Sequence, residues 1–272
     1  MGTGVQPISD LEFDIDVGLR FPIESSQYTA PEVRKWVLAA VDGHTDSVVE
    51  LGPCIRVGYA KGYHVDLVAY ATWTDLGGNE QYRLAHRTDG WREANPPGLL
   101  EYVKQTRERY AGTEDTRSKT DQFRRLVRYL KRWGDVAIPY DSEAKPVGLS
   151  YVLYVATHGN PAVTWDGASD DRTALASLAA MAAKTVGRIV AHKPTPEYED
   201  IFSGLSEKHM SELKERFAAL STALYEAAQT TDPVKACMIL QEAFGSDFPI
   251  PEPADTGKKT SGPAIVTSAS SA

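Results

Sequence analysis

Apolar and polar side chains alternate through the stretch EFDIDVGLRF at residues 12–21. Successive side chains of a β-strand point to opposite faces, so this period of two predicts a strand with one apolar and one acidic face. The acidic face carries Asp14 and Asp16, whose Cα atoms are about 6.5 Å apart in a strand. The apolar face is predicted to enter a core and comprises Leu11, Phe13, Ile15 and Val17.

The segment TAPEVRKWVLAAVDG at residues 29–43 predicts a helix. Its apolar side chains recur at a helical spacing that places Val33 and Val37 on one face. Pro31 is typical of a first turn, and Gly43 is typical of a helix end.

Two or three short strands are predicted over residues 47–73. The stretch is rich in β-branched residues and is interrupted at Gly52-Pro53 and at Lys61-Gly62, which are turn signals. In its last strand, His64 and Asp66 share one face because they are two residues apart. Asp66 is therefore a third acid carried on a strand.

From about residue 118 the pattern becomes helical. DQFRRLVRYLKRW at residues 121–133 has an apolar stripe and, beside it, a basic stripe of Arg124, Arg128 and Lys131. Further helical periods follow up to the segment DPVKACMILQEAFG, in which Asp232 and Pro233 begin a helix that Gly245 closes.

Together these elements predict an α+β protein, with a mixed sheet and flanking helices packed on a helical C-terminal domain. We divide the chain into a mixed part at residues 1–112, a helical part at 113–248 and a tail at 249–272. The tail is rich in Pro, Gly, Ser and Thr and has no periodicity, which predicts a flexible segment.

Composition changes this picture little, but it excludes some classes of function. The chain has 272 residues, 42% of them hydrophobic, with a formal charge of −8. No run of about 18 apolar residues and no leader pattern occurs, so we expect a cytoplasmic protein without a membrane partner. The acidic balance argues against a nucleic-acid partner. Cys54 and Cys237 stand apart from any ligand pattern and are predicted to be buried thiols.

The charge is uneven along the chain. Residues 104–132 contain ten basic side chains against four acidic ones. Two interpretations fit this local excess: a site for a small anion such as a triphosphate, and a solvated helix face.

The three strand-borne acids also have two interpretations. One is a solvent-facing strand whose polar positions are acidic. The other is a cluster of Asp14, Asp16 and Asp66 that holds divalent cations, because close carboxylates repel one another unless a cation lies between them. Such a cluster binds two Mg²⁺ ions in phosphoryl transfer, and one carboxylate can accept a proton from an attacking hydroxyl.

FDIDVGLRF followed by GYHVDLVAYA resembles the bacterial cyclic-oligonucleotide synthases, or CD-NTases. These are nucleotidyltransferases of the polymerase-beta superfamily, related to cyclic GMP-AMP synthase and oligoadenylate synthetase. The likeness continues through FRRLVRYLKRW, GLSYVLYVA, EDIFSGL and AFGSDFP. The resemblance implies a polymerase-beta-like core over residues 1–112 and a reaction that joins two or three NTPs, ATP and GTP among them, into a ring.

The resemblance also implies roles for single residues. Asp14 and Asp16 would hold two Mg²⁺ ions, with Mn²⁺ as an alternative, and Asp66 would complete the site and help to activate the attacking ribose hydroxyl. Lys131 matches a helix lysine that contacts the donor triphosphate.

Ser150 matches a hydroxyl that touches phosphate, and Tyr151 lies where relatives stack a base. The alternatives for these two and for Lys131 are a helix-capping serine, a core tyrosine and a surface lysine, and all of them stay open at this point.

One departure from the family concerns the start of the chain. The family places a Gly-Ser pair before a Gly-Thr on a turn that cradles the donor phosphates. This sequence begins MGTGVQP, so Gly2 and Thr3 match, with Thr3 near the phosphates, whereas the Gly-Ser and a preceding helix are not seen. We therefore expect a chain that binds metal but has impaired activity.

The resemblance implies an antiphage (CBASS) role in which the cyclic product activates a downstream effector. Ala272, at the end of the tail, would serve as a site for ubiquitin-like conjugation, with a serine-rich linker as the alternative. Two other functions stay open: linear oligonucleotide or RNA nucleotidyl transfer, and a noncatalytic binding or conjugation partner.

The histidines are predicted to be structural or surface residues, because none shows a ligand spacing such as H-x-x-x-H. His64 is expected to act on the site at most through another residue.

Overall fold

The computed structural model describes residues 2–5, 13–60 and 62–252. The side chains of Leu11 and Phe13 lie outside the described part, as does the tail from residue 253, which includes Ala272. The strands are β1 (Phe13–Phe21), β2 (Ser47–Glu50), β3 (Ile55–Tyr59), β4 (Tyr63–Thr74), β5 (Glu80–His86) and β6 (Gly90–Glu93). The helices are α1 (Ala30–Val41), α2 (Pro96–Glu108), α3 (Gln122–Ala137), α4 (Gly148–His158), α5 (Asp171–Lys184), α6 (Glu207–Gln229) and α7 (Pro233–Phe244).

The six strands form one mixed sheet. Strands β2 to β6 are hydrogen-bonded in chain order and antiparallel, and β1 pairs in parallel with β4. The chain reverses direction between the end of β3 at Tyr59 and the start of β4 at Tyr63, and Gly62 has φ +75°, a conformation that glycine adopts without strain. The predicted α+β class and the strand breaks are confirmed.

Helix α1 covers one face of the sheet. It begins with a capping box in which the Glu32 carboxylate accepts from the Thr29 backbone N–H at 2.7 Å. Val33 and Val37 are buried against Ile55 and other small apolar residues of the sheet.

The prediction that Ile15 enters a core is wrong, because its side chain is 46% exposed. On the same strand, Leu19 and Phe21 pack against the cluster that α1 covers. Helix α1 therefore buries only the end of β1 and leaves the acidic segment open.

A second and larger cluster of buried residues joins the helices. The face of α3 that the sequence predicted is buried within it: Phe123, Leu126, Val127, Leu130 and Trp133. Val103 on α2 and Tyr110 also belong to this cluster, although both precede residue 113. The division of the chain at residue 112 stays a prediction.

Helix α3 is held on α5 by a partly buried ion pair. Arg125 donates to both carboxylate oxygens of Asp171, at 2.6 Å and 2.9 Å, and Gln122 donates to the same carboxylate at 3.1 Å. These contacts fix the orientation of α3 and hence of its basic stripe.

Within the described part of the chain, no helix is both long and apolar enough to cross a membrane.

Candidate active site

The acids of β1 and β4 lie on one face of the sheet. In the parallel pairing, Asp14 lies beside His64 and Asp16 beside Asp66. Neighbouring side chains at paired positions share a face, so the four groups converge. Ligand atoms of Asp14, His64 and Asp66 all lie within 4.8 Å of one another.

Asp66 is fixed in place by Arg56. The two residues are paired across the antiparallel strands β3 and β4, and Arg56 donates to both carboxylate oxygens at 2.8 Å. These hydrogen bonds lower the pKa of Asp66, although burial opposes the shift. Asp66 is 6% exposed, and Arg56 favours its ionised form in this largely buried position.

Cys54 lies behind this pair. Burial raises the pKa of its thiol to about 11, and the nearby charge of Asp66 adds to the effect. The thiol is therefore protonated at neutral pH and does not offer a thiolate to a metal ion.

Asp16 shows the effect of crowded negative charge. Partial removal from water raises its pKa above the ordinary value, and the charges of Asp14 and Asp66 raise it further. Arg56 and His64 oppose the rise. A divalent cation among the carboxylates would remove this conflict, which is the physical test that the predicted metal site passes.

Lys131 reaches the site from α3. Burial lowers the pKa of its ammonium group, and the charges of Asp14 and Asp135 oppose that shift. Its ammonium end packs close to Gly148 at the start of α4, where a β-carbon would lie 3.4 Å from Nζ. Lys131 is therefore close enough to Asp14 for the two charges to interact.

The segment at residues 2–5 lies on the same helix. Arg128 donates to the backbone carbonyl of Gly2 at 2.8 Å, and Thr3 is 6% exposed. Gly2 therefore contacts the basic stripe at Arg128, which precedes Lys131 on α3 by three residues, less than one helical turn.

Ser150 and Tyr151 are placed differently. Ser150 is fully buried, with its hydroxyl 3.5 Å from the carbonyl of Ile201, and Tyr151 is 3% exposed within the helical cluster. A side chain at Gly134 would collide with the Tyr151 phenol, which shows how closely α3 and α4 pack. Both side chains are enclosed by the helices around them, and their assignment to phosphate and base contacts stays a prediction.

The sequence did not predict that His64 and Arg56 lie directly at the site. His64 carried a usable signal, because it shares a face with Asp66 in the strand pattern. Arg56 carried one too: a hairpin centred on residue 61 pairs position 56 with position 66. Neither residue belongs to a motif that names its role.

Residues 1–70 match the sequence family described as cyclic GMP-AMP synthase DncV-like, nucleotidyltransferase domain. A solved structure of Escherichia coli DncV in its 3′-deoxy GTP-bound form has a TM-score of 0.67 at 20% identity, covering 88% of this chain and 65% of that one. A di-nucleotide cyclase mutant from Vibrio has a TM-score of 0.72 at 18% identity, with coverage of 90% and 66%.

The Vibrio cholerae DncV cyclic AMP-GMP synthase in complex with the linear intermediate 5′ pppA(3′,5′)pG has a TM-score of 0.67 at 16% identity, with coverage of 90% and 65%. The chain thus spans about 65% of the length of these proteins. The comparisons confirm the resemblance to the bacterial CD-NTases and the nucleotidyltransferase fold.

Proposed function

We propose that this chain, which carries a DncV-like nucleotidyltransferase domain, joins two or three nucleoside triphosphates and closes the product into a ring. The observation that supports the proposal most is the strand register that places Asp16 beside Asp66 and Asp14 beside His64. A parallel pairing shifted by one residue would put the aspartates of β1 and Asp66 on opposite faces.

Asp14, Asp16 and Asp66 are the residues that would hold two Mg²⁺ ions, or Mn²⁺ in their place. When bound, such ions polarise the reacting phosphate and neutralise the charge that develops on it. The carboxylates supply the hard oxygen ligands that these ions prefer.

The chain's own residues prepare the reaction in three ways. Arg56 keeps Asp66 ionised and oriented, so that its carboxylate can hold a ribose hydroxyl of the acceptor. Lys131 brings a positive charge to the Asp14 side of the site, where it would bind the donor triphosphate. The basic stripe beyond it, with Arg128, would extend the phosphate-binding surface.

ATP and GTP are the proposed substrates. The support is the adenine and guanine of the linear intermediate bound by the V. cholerae relative. Base choice, linkage and ring size in this chain are matters for product analysis.

The proposed setting is antiphage signalling in the cytoplasm, with the cyclic product activating a downstream effector. Ubiquitin-like conjugation at Ala272 is a separate part of the proposal and rests on the sequence resemblance. Mass spectrometry of the chain expressed with its genomic neighbours tests it, and an Ala272 carboxylate that stays unmodified during infection would oppose it.

Incubation of the chain with α-³²P-labelled ATP and GTP and either Mg²⁺ or Mn²⁺ tests the reaction. We expect a small amount of labelled product, in keeping with the impaired activity predicted from the sequence, and we expect it to resist phosphatase because a ring has no terminal phosphate. Asp14→Asn with Asp16→Asn should abolish it, whereas Asp89→Asn, an exposed acid at the β5–β6 turn, should not.

The same assay separates the alternatives. A product that phosphatase attacks at its end supports linear transfer instead of ring closure. Binding of metal and nucleotide without any product would overturn the proposed activity and leave a noncatalytic binding role.

A further inference from the structure

We propose that His64 gives a ring nitrogen directly to a cation bound between Asp14 and Asp66, and that this position takes Mn²⁺ in preference to Mg²⁺. The inference rests on the proposed function only in placing a divalent cation at these acids. It adds a nitrogen ligand and a metal preference to a site that carboxylates alone were expected to form.

The geometry brings the three donors to the size of a single coordination sphere. Ligand atoms of Asp14, His64 and Asp66 lie within 4.8 Å of one another. Two ligands on opposite sides of an ion with bonds of about 2.1 Å are about 4.2 Å apart, and adjacent ligands are closer. Small side-chain adjustments therefore let one ion touch all three groups.

The strand pairing makes this placement rigid. His64 lies beside Asp14 across the parallel pair β1–β4 and is two residues from Asp66 on β4. Its backbone is fixed by the strand pairing, and only 5% of the residue is exposed. A site built on paired strands has less freedom than one built on loops, so the nitrogen is presented at a fixed position.

The state of Asp66 strengthens the case for a further donor. Both of its oxygens already accept hydrogen bonds from Arg56 at 2.8 Å. Only its remaining lone pairs can face a cation, so Asp66 is a weaker ligand than an uncommitted carboxylate. A nitrogen from the same strand compensates for this loss.

The donor set then determines the metal. Mg²⁺ prefers oxygen ligands and keeps several waters, whereas imidazole nitrogen binds first-row transition ions well. One nitrogen with two carboxylates therefore favours Mn²⁺ over Mg²⁺ at this position. The second ion of the proposed pair, held by Asp14 and Asp16, would keep an all-oxygen environment.

Pulsed electron paramagnetic resonance of the Mn²⁺-loaded chain tests the inference directly. We expect echo modulation from a directly bound ¹⁴N in the wild type, and its loss in His64→Gln. His86→Gln, on β5 of the same sheet, is the control and should retain the signal. Labelling the wild type with ¹⁵N-histidine should replace the ¹⁴N signal by a ¹⁵N splitting, which tests the nitrogen without any substitution.

Competition between the ions gives a second readout. The preference for Mn²⁺ over Mg²⁺ should fall about tenfold in His64→Gln, within the range seen when groups around a metal are replaced. A wild-type Mn²⁺ signal without nitrogen coupling, a coupling that survives His64→Gln, or a wild type that binds no Mn²⁺ would overturn the proposal.

The outcome separates this inference from the proposed function. Nitrogen coupling without nucleotide product would support the His64 ligand and contradict the proposed reaction. Cyclic product formed by a chain that shows no nitrogen coupling would do the reverse.

Discussion

Arg56 donates to both oxygens of the Asp66 carboxylate, at 2.8 Å each, across the antiparallel strands β3 and β4. The guanidinium group supplies positive charge at the place where the neighbouring carboxylates repel one another and would be stabilised by a bound cation. Arg56 therefore stabilises the ionised carboxylate and, for the same reason, competes with a metal ion for it. Loss of Arg56 should therefore change metal affinity and turnover in opposite directions.

Replacing Arg56→Gln should tighten Mn²⁺ binding in the absence of nucleotide, because a positive charge and a competing donor are both removed. Turnover should fall by about tenfold, since Asp66 loses the group that orients it. Calorimetric Mn²⁺ titration and steady-state assays measure the two effects.

Arg83→Gln is the matched control for that experiment. Arg83 pairs with Glu93 at 2.8 Å, and its side chain is 32% exposed against 34% for Arg56. The control should change neither quantity. Weaker Mn²⁺ binding in Arg56→Gln would mean that the arginine assists the metal and does not compete with it.

Asp16→Asn should stabilise the metal-free protein at pH 7. Because partial burial and two neighbouring negative charges raise the pKa of Asp16, its ionised form costs stability above the folded-state pKa. That cost disappears when the group is protonated, so the advantage of the variant should shrink as the pH falls towards 3.8, the ordinary pKa of aspartate.

Urea unfolding with EDTA at several pH values measures this difference, and Asp42→Asn, at the exposed end of α1, serves as the control. Added Mn²⁺ should reverse the order, because only the wild type keeps the full carboxylate set. A variant that is less stable than the wild type at pH 7 without metal would show that the acids are not in conflict.

Lys131→Met should raise the KM for NTP by about tenfold or more. The loss of one charge-assisted contact to phosphate corresponds to roughly 1.5–3 kcal/mol. Mn²⁺ binding without nucleotide should not weaken, because the lysine contributes positive charge near Asp14. The control is Arg132→Met, at the next position on α3. In the wild type, Arg132 donates to the carbonyl of Phe244 at 2.9 Å, so its replacement should leave KM unchanged. An unchanged KM in Lys131→Met would remove Lys131 from the phosphate site.

Ser150→Ala tests whether the packing or the sequence resemblance describes position 150. Since the hydroxyl is fully buried and lies near a backbone carbonyl, we expect KM for NTP to stay within about twofold. Stability should change by about 1 kcal/mol at most, the net contribution of one hydrogen bond. A large rise in KM at wild-type stability would restore the predicted phosphate contact.

The sequence predicts the acidic face of β1 well, because a period of two assigns Asp14 and Asp16 to one face without tertiary information. It does not contain the parallel register of β1 with β4, which depends on how the strands meet in the sheet. The register brings His64 into the cluster, and the antiparallel pairing of β3 with β4 brings in Arg56.

The wrong prediction for Ile15 has the same origin. Alternation identifies an apolar face but not how far a helix extends over it, and α1 stops short of this residue. Similarly, the continuous apolar run around Ser150 fits a helix buried on all sides as well as a wall of a cleft, and only the packing of α4 against α3 distinguishes them.

The proposed nucleotidyl-transfer site depends on Asp14, Asp16 and Asp66 holding its cations together. The most direct test counts protein-bound Mn²⁺ by equilibrium dialysis, with a nonhydrolysable ATP analogue on both sides of the membrane. We predict two bound ions per chain for the wild type. At Mn²⁺ concentrations that saturate the wild type, we predict none for the Asp14→Asn, Asp16→Asn double variant. Equal numbers of bound ions in the two proteins would show that these aspartates do not hold the cations.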